Sequence, residues 1–120
     1  MDILTLPLPP TLNNYYGCNG HVKYIKKEGK EYRAQVVTLV KSKGWDYHAD
    51  VRLSVSIVIH FARHGANDLD NRMKGLLDAL THANVWLDDA LIDDLHVSRG
   101  QVKKGSGGVV LMTVQAMDDI

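Results

Sequence analysis

The centre of the chain reads DLDNRMKGLLDALTHANVWLDDALIDD from Asp68 to Asp94. Seven of the fourteen acidic residues lie in this stretch, and six of the seven form two tight groups, one at each end. Two carboxylates 4 Å apart repel by about 1 kcal/mol in water and by about 4 kcal/mol at an effective dielectric constant of 20. A fold that brings the groups together therefore needs a cation between them. Oxygen ligands without a cysteine or histidine pattern predict a site for Mg²⁺, Mn²⁺ or Ca²⁺.

The segment between the two acidic groups has the apolar spacing of a helix over about residues 71–83. Asp70 or Asn71 is a natural N-cap for it. Gly75 inside the helix costs roughly 1 kcal/mol relative to alanine, so we expect the close approach of another backbone across a helix–helix or subunit contact. The buried stripe is predicted to consist of Met73, Leu76, Leu77 and Leu80.

The flanking segments complete an α+β domain with a mixed β-sheet and two main helices, a single domain over residues 1–120. The predicted order is an edge strand at 3–8, a loop at 11–20, a helix at 26–43 ended by Gly44, a strand at 51–61, the second helix, a short apolar segment at 85–87, and strands at 95–102 and 109–117. The glycines between the last two strands favour an antiparallel hairpin.

Length and composition narrow the class of protein. The 120 residues suit one domain, and the contents of 45% hydrophobic and 23% charged residues are ordinary for a globular protein. The chain has no apolar run long enough to span a bilayer and no cleavable signal at its start, so no membrane partner is expected. The single cysteine, Cys18, excludes an internal disulfide and a cysteine-rich zinc site, which fits a cytoplasmic protein.

The formal net charge is zero, but basic residues are concentrated outside the acidic centre. Seven Lys and Arg and only two acids lie between Lys23 and Lys43. This distribution suits contacts with a phosphate backbone, although on charge alone a solvated helix face is the more common explanation of such a run. Asn14 and Tyr15 in the preceding loop either contact nucleic acid or pack the loop onto the domain. The basic candidates are Lys23, Lys26, Lys27, Lys30, Arg33, Lys103 and Lys104.

The first acidic group allows a structural and a functional interpretation. In extended chain, Asp68 and Asp70 point to one side, about 6–7 Å apart, which suits one or two metal ions. An isolated pair of this kind is more often a turn or a helix cap. Lys74 would project from the first helical turn, where it either stabilises a phosphate in the transition state or forms a surface pair with Asp70 or Asp78.

A calcium loop of the EF-hand type does not fit the first acidic group. Counted from Asp68, it would need an acid or Asn, a Gly and a Glu where the chain has Arg72, Met73 and Ala79, so that site is excluded. In the second acidic group, Asp88-Asp89 could cap a helical turn that begins at Ala90. Asp93-Asp94 could simply be exposed to solvent.

Five motifs cover essentially the whole chain: LPLPPTLNNYY at 6–16, EGKEYR at 28–33, DLDNxxK at 68–74, LDAL at 77–80 and WLDD at 86–89. Together they resemble the RusA family of Holliday junction resolvases. The family consists of Mg²⁺-dependent endonucleases that cut four-way DNA junctions as homodimers and are often encoded by prophages.

The resemblance implies roles for individual residues. Asp68, Asp70 and Asp89 match the family's catalytic, metal-binding carboxylates, and Lys74 matches its essential lysine. Asp88 matches a supporting acid beside the last carboxylate. No function is carried onto Asp93 and Asp94, and the chain is less basic than the family tends to be.

The resulting hypothesis is metal-dependent hydrolysis of DNA phosphodiesters, with Mn²⁺ as a possible substitute for Mg²⁺. The metal would activate a water and stabilise the leaving 3′ oxygen, while Lys74 stabilises the pentavalent phosphorane or positions the water. Two symmetric cuts in a four-way junction call for two active sites related by a two-fold axis. The alternatives are a non-catalytic DNA-binding protein of phage origin and a nuclease for other branched DNA.

Overall fold

The computed structural model describes residues 3–45, 50–65 and 68–117. Three helices, six strands and one 3₁₀ turn follow one another in those ranges. They are β1 (Leu4–Pro7), α1 (Leu12–Tyr15), β2 (Tyr16–Asn19), β3 (Val22–Ile25), α2 (Lys27–Lys43), β4 (Leu53–His60), α3 (Asp70–His82), the 3₁₀ turn Asp89–Leu91, β5 (Ile92–Arg99) and β6 (Val109–Ala116). No described helix has the length and apolar character needed to cross a membrane.

Four strands form one mixed sheet in the order β1-β6-β4-β5. Strands β4 and β5 run parallel, and the β1–β6 and β4–β6 pairs run antiparallel. This confirms the predicted α+β class and the edge position of the first strand, where the missing N–H of Pro7 breaks no ladder. Strands β2 and β3 form a separate antiparallel hairpin, in which β2 lies inside the predicted loop at 11–20 and β3 follows it, where no element was predicted.

The prediction that the last two strands form a hairpin is wrong. Strand β6 lies between β1 and β4, whereas β5 occupies the opposite edge, beside β4. The burial explains the order: alternate residues of β6 are buried, while β5 is largely exposed, and its Leu95 is 43% exposed. The glycine-rich stretch at 100–108 is a long connection rather than a tight turn, and Gly105, Gly107 and Gly108 adopt positive φ in it.

The helices follow the sequence prediction closely, and the smaller elements do not. Helix α2 ends at Gly44, whose φ of 70° gives the left-handed conformation that glycine favours after a helix. Helix α3 begins at Asp70, one residue before the predicted start. Residues 85–87 form no strand of their own: Trp86 makes a single β-bridge, and Val85 and Trp86 are both fully buried.

Tyr15 is the wedge between α2 and α3. Its side chain is fully buried, and the two helices present glycines to it. A Cβ on Gly75 would lie 2.6 Å from the Tyr15 ring, and a Cβ on Gly29 would lie 2.7 Å from the Tyr15 carbonyl oxygen. The close approach expected at Gly75 is thus made by an aromatic ring of the same chain. The buried residues of β4, Leu53, Val55, Ile57 and Ile59, share this core.

Candidate functional site

The segment between β1 and β2 is fastened to the start of α3. The Leu12 N–H donates to Oδ1 of Asn71 at 3.3 Å, and the Arg72 guanidinium donates to the Pro9 carbonyl oxygen at 2.6 Å. These two bonds connect the proline-rich start of the chain to the DLDN motif. They place α1 and β2 beside the first turns of α3.

Asp68 and Asp70 do not lie together in extended chain, as the sequence had suggested, because α3 begins at Asp70. Leu69 has helical dihedral angles and occupies the cap position of α3, and no side chain caps the helix. This corrects the prediction of a cap at Asp70 or Asn71, because the Asn71 oxygen accepts from Leu12 instead. Asp68 and Asp70 are both exposed, and Asp70 lies in the first turn of α3, where the helix dipole favours negative charge.

Lys74 lies in a three-residue cluster on the next turn of α3. Its Nζ is 3.1 Å from Oδ2 of Asp78, which confirms the predicted surface pair. The Tyr16 hydroxyl donates to the same carboxylate oxygen, and Lys74 Nζ lies 4.8 Å from the centre of the Tyr16 ring. Burial, followed by the bond to Asp78, raises the pKa of Tyr16, so its hydroxyl remains a proton donor. The ammonium group therefore has two neighbours here, the Asp78 carboxylate and the Tyr16 ring.

The WLDD motif folds back along α3. Trp86 is fully buried, and its Nε1–H donates to Oγ1 of Thr81 at 2.7 Å. Asp88 then accepts from the Ala90 N–H at 2.9 Å and begins the 3₁₀ turn, as the sequence predicted. The buried indole and the capped turn together fix the position of Asp89.

The carboxyl of Asp89 lies within electrostatic reach of the Lys74 cluster. Burial, then a hydrogen bond to Asp88 and the negative charges of Asp88 and Asp78, raise the pKa of Asp89, and Lys74 opposes this shift. The Ala90 N–H, followed by the bond from Asp89, lowers the pKa of Asp88. The structure therefore brings Asp88 and Asp89 towards the middle of α3, whereas Asp78 is about 12 Å along the helix from Asp70.

The other two acids of the second group belong to the sheet. Asp93 accepts from Nε of Arg52 at 2.9 Å. Asp94 accepts from Oγ of Ser54 at 3.0 Å, and its Oδ1 is 3.0 Å from the His96 ring nitrogen. The contacts with Arg52 and Ser54 join β5 to the start of β4, and the Asp94–His96 contact lies within β5.

A metal ion bound at the carboxylates near α3 would take only part of its ligands from the protein. Over residues 3–45, 50–65 and 68–117, no three His, Cys, Asp or Glu side chains form a group that could hold an ion. Mg²⁺ is commonly held by one or two carboxylates together with substrate phosphates and water. Burial and nearby negative charge disfavour ionisation of Asp89, an electrostatic setting that a cation relieves.

A groove of about 780 Å³ opens beside Lys74. Helix α1 and the β2–β3 hairpin form its walls, and Lys23 and Lys26 line it together with Lys74. The Lys26 ammonium donates to the Asn13 carbonyl oxygen at 2.7 Å. Two of the predicted DNA-binding lysines are thus adjacent to the predicted catalytic lysine.

The remaining DNA-binding candidates are scattered. Tyr15 lies in the core, so this position offers no ring to a nucleic acid, and Arg33 is only partly exposed. Lys27 is 3.8 Å from Glu31 on an exposed turn of α2. The exposed candidates outside the groove are Asn14, Lys27, Lys30, Lys103 and Lys104, the last two in the connection between β5 and β6.

Sequence reasoning missed Tyr16, Tyr24 and the second contact of Asp78. The loop prediction concealed the hairpin that carries both tyrosines. The sequence does carry a signal for a short hairpin. Residues 22–25 include Val22, Tyr24 and Ile25, types that favour strands, and Gly20 lies just before them, where a turn would be needed.

Comparison with known proteins gives consistent similarities. The family model described as Endodeoxyribonuclease RusA matches residues 7–113. A crossover junction endodeoxyribonuclease RusA of Escherichia coli O139:H28 (strain E24377A / ETEC) is 35% identical over 116 residues, covering 97% of this chain and 95% of that protein. The protein of that name from Shigella sonnei (strain Ss046) is 37% identical, with 95% and 93% covered, and the one from Enterobacteria phage HK97 is 34% identical, with 93% and 94% covered.

Proposed function

The chain belongs to the RusA family of endodeoxyribonucleases, and from this premise we propose that it resolves four-way DNA junctions by metal-dependent hydrolysis of phosphodiester bonds. The observation that carries the proposal is the Lys74–Asp78–Tyr16 cluster on α3, the helix that begins in the DLDN motif, with Asp89 near enough for the charges of Lys74 and Asp78 to act on its carboxyl. An ammonium group with a carboxylate in its electrostatic reach suits the stabilisation of a phosphoryl group that a metal ion also contacts.

Mg²⁺, with Mn²⁺ as a substitute, is the metal that this donor set favours. Asp68, Asp70 and Asp89 would supply carboxylate oxygens, and Asp88 would support them. When bound, the ion supplies an activated water and neutralises charge on the phosphate. Hard carboxylate oxygens without thiolates argue against a softer metal.

The protein's own groups position and neutralise the reacting phosphate. Lys74 meets the negative charge that develops on the phosphoryl oxygens, and its contacts with Asp78 and the Tyr16 ring orient it towards that position. Asp88 holds the turn that presents Asp89. Lys23 and Lys26 bind the backbone of the same strand on the groove side.

Junction resolution adds a requirement for symmetry. Two matched cuts are made most simply by two copies of one site related by a two-fold axis, so we propose a homodimer. The expected products carry 5′-phosphate and 3′-hydroxyl ends. A DNA substrate of this kind fits a cytoplasmic location.

The test uses a labelled four-way junction and a linear duplex of the same sequence, each with and without Mg²⁺. Paired symmetric nicks in the junction alone, only with metal, are expected. Asp70→Asn should bind the junction without cutting it, and Asp93→Asn, an acid paired within the sheet, is the matched control that should still cut.

Two results would contradict the proposal. A gel shift indifferent to metal and without nicks would favour a non-catalytic DNA-binding protein. Metal-dependent cutting of flaps or single strands in preference to the junction would keep the chemistry and change the substrate.

A further inference from the structure

The groove beside Lys74 is basic and aromatic, and its described lining contains three lysines and no acid. The lysines come from three places in the chain, Lys23 on β3, Lys26 at the start of α2 and Lys74 on α3. Tyr16 and Tyr24 supply aromatic surface between them. Lysines with aromatic rings form the combination that binds a single nucleic-acid strand through its phosphates and bases.

The ring of Tyr24 is set in place by the opposite strand of the hairpin. Gly17 pairs directly with Tyr24, and a Cβ on Gly17 would lie 2.4 Å from Cζ of the tyrosine. The ring therefore lies across the bare backbone of Gly17. It remains 48% exposed, so aromatic surface is available to a ligand with little ordering left to occur on binding.

The groove is continuous with the proposed cleavage site. Lys74 belongs to both, because its Nζ contacts Asp78 and its side chain lines the groove. A DNA strand whose phosphate reaches Lys74 would pass Lys26 and Lys23 on the side of the hairpin. The volume of about 780 Å³ is within the range of roughly 300–1,000 Å³ typical of ligand sites.

We propose that this groove is a binding site for an unpaired segment of the cleaved DNA strand, with one base stacked on Tyr24 and the neighbouring phosphates against the lysines. A base inside a duplex has both faces covered by its neighbours and offers no face to the ring, so the groove selects unpaired nucleotides. This inference rests on the proposed function and adds that the DNA strand is unpaired where it enters the groove.

A second copy of the chain is the competing occupant, because Leu12 and Val22 are exposed apolar residues of the same region. The charge favours DNA. Three lysines with no acid among the described lining residues would repel a copy of themselves across a two-fold axis, whereas they complement phosphates.

The first experiment measures the affinity of the full chain, without divalent metal, for a short fluorescent single strand and for a matched duplex. Tyr24→Leu should weaken binding of the single strand by about 5- to 150-fold, the range for stacking of one base, and leave duplex binding unchanged. Tyr24→Phe keeps the ring and should restore most of the affinity. Val22→Thr, on the same strand but outside the groove lining, is the matched control and should bind like the unaltered protein.

The second experiment locates the contact. A four-way junction carrying 5-iodouracil beside the cut is irradiated with the Asp70→Asn protein, and the crosslinked residue is identified by mass spectrometry. A crosslink at Tyr24 supports the site. Unchanged single-strand affinity in Tyr24→Leu, a crosslink confined to other elements, or a Tyr24→Leu protein that changes only its oligomeric state would overturn it.

Failure of the groove and failure of the proposed function are distinguishable. Junction cleavage by the unaltered protein is measured in parallel. No metal-dependent cleavage refutes the proposed function, whereas normal cleavage with unchanged single-strand binding in Tyr24→Leu refutes the groove alone.

Discussion

Replacing Gly75 by alanine tests whether the Tyr15 ring sets the spacing of α2 and α3. In an exposed helix interior, this substitution stabilises by about 1 kcal/mol. Here the new Cβ would lie 2.6 Å from the ring, where carbon atoms normally approach to about 3.5–4.0 Å. The ring cannot retreat, because it is fully buried and α2 is equally close on the other side, where a Cβ on Gly29 would lie 2.8 Å from the ring.

Overpacking of this kind costs about 1–3 kcal/mol, which exceeds the gain in helix propensity. We expect Gly75→Ala to lower the free energy of unfolding by up to about 2 kcal/mol in urea titration, with an unchanged slope. Junction cleavage should fall as well, because Gly75 adjoins Lys74 and a displaced helix moves the ammonium group.

The control is the same substitution in a Tyr15→Leu background. Removing the ring removes the clash, so Gly75→Ala should then be neutral or stabilising, whatever Tyr15→Leu costs by itself. A Gly75→Ala protein about 1 kcal/mol more stable than the unaltered chain would show that helix propensity decides, and would refute the wedge.

Three further perturbations test other parts of the structure. Asp78→Asn should lower kcat while changing the free energy of unfolding by less than about 0.5 kcal/mol, because the ion pair with Lys74 is at the surface. In a Lys74→Met background the same substitution should cause no further loss of kcat. An additive loss of kcat would mean that Asp78 acts independently of Lys74. Thr81→Val leaves the buried Trp86 N–H without its acceptor and should cost about 1–3 kcal/mol in urea unfolding; a cost near zero would mean that the bond does not anchor the WLDD segment. The hydrogen bond from its arginine partner lowers the pKa of Asp93, so this carboxylate stabilises the fold above its unfolded pKa of about 3.9 and loses that effect as the pH falls through the folded value. The stability difference between the unaltered chain and Asp93→Asn should therefore shrink below about pH 4, and a constant difference would contradict the pairing.

The sequence predicted what depends on local pattern. Helix α2, its Gly44 terminus and β4 follow from apolar spacing and terminators, and the structure has them within two residues or so of the predicted bounds. The Asp88 cap also depends only on neighbouring residues.

The strand order and the arrangement of the site depend on contacts between residues that are distant in sequence. The predicted pairing of the last two strands was wrong, and the contacts within the site were not predicted. The pattern of β6 did not reveal that both of its edges are occupied, by β1 and β4. The sequence pattern does not show which acids of the second group face α3: Asp89 lies within electrostatic reach of Lys74 and Asp78, while Asp93 is bound by Arg52 at the sheet. Tyr16 is sixty-two positions from Asp78, and no spacing rule links such residues.

The β2–β3 hairpin lies outside the four-stranded sheet, and in the described ranges its strands pair only with each other. It is joined to the domain next to the buried wedge, where the Lys26 N–H donates to the Tyr15 carbonyl oxygen at 2.8 Å. We therefore expect that residues 17–24 can be exchanged with the corresponding segment of a relative while the core and the Lys74 cluster keep their structure. Such chimaeras offer a route to altering which DNA structures the enzyme selects without rebuilding its chemistry.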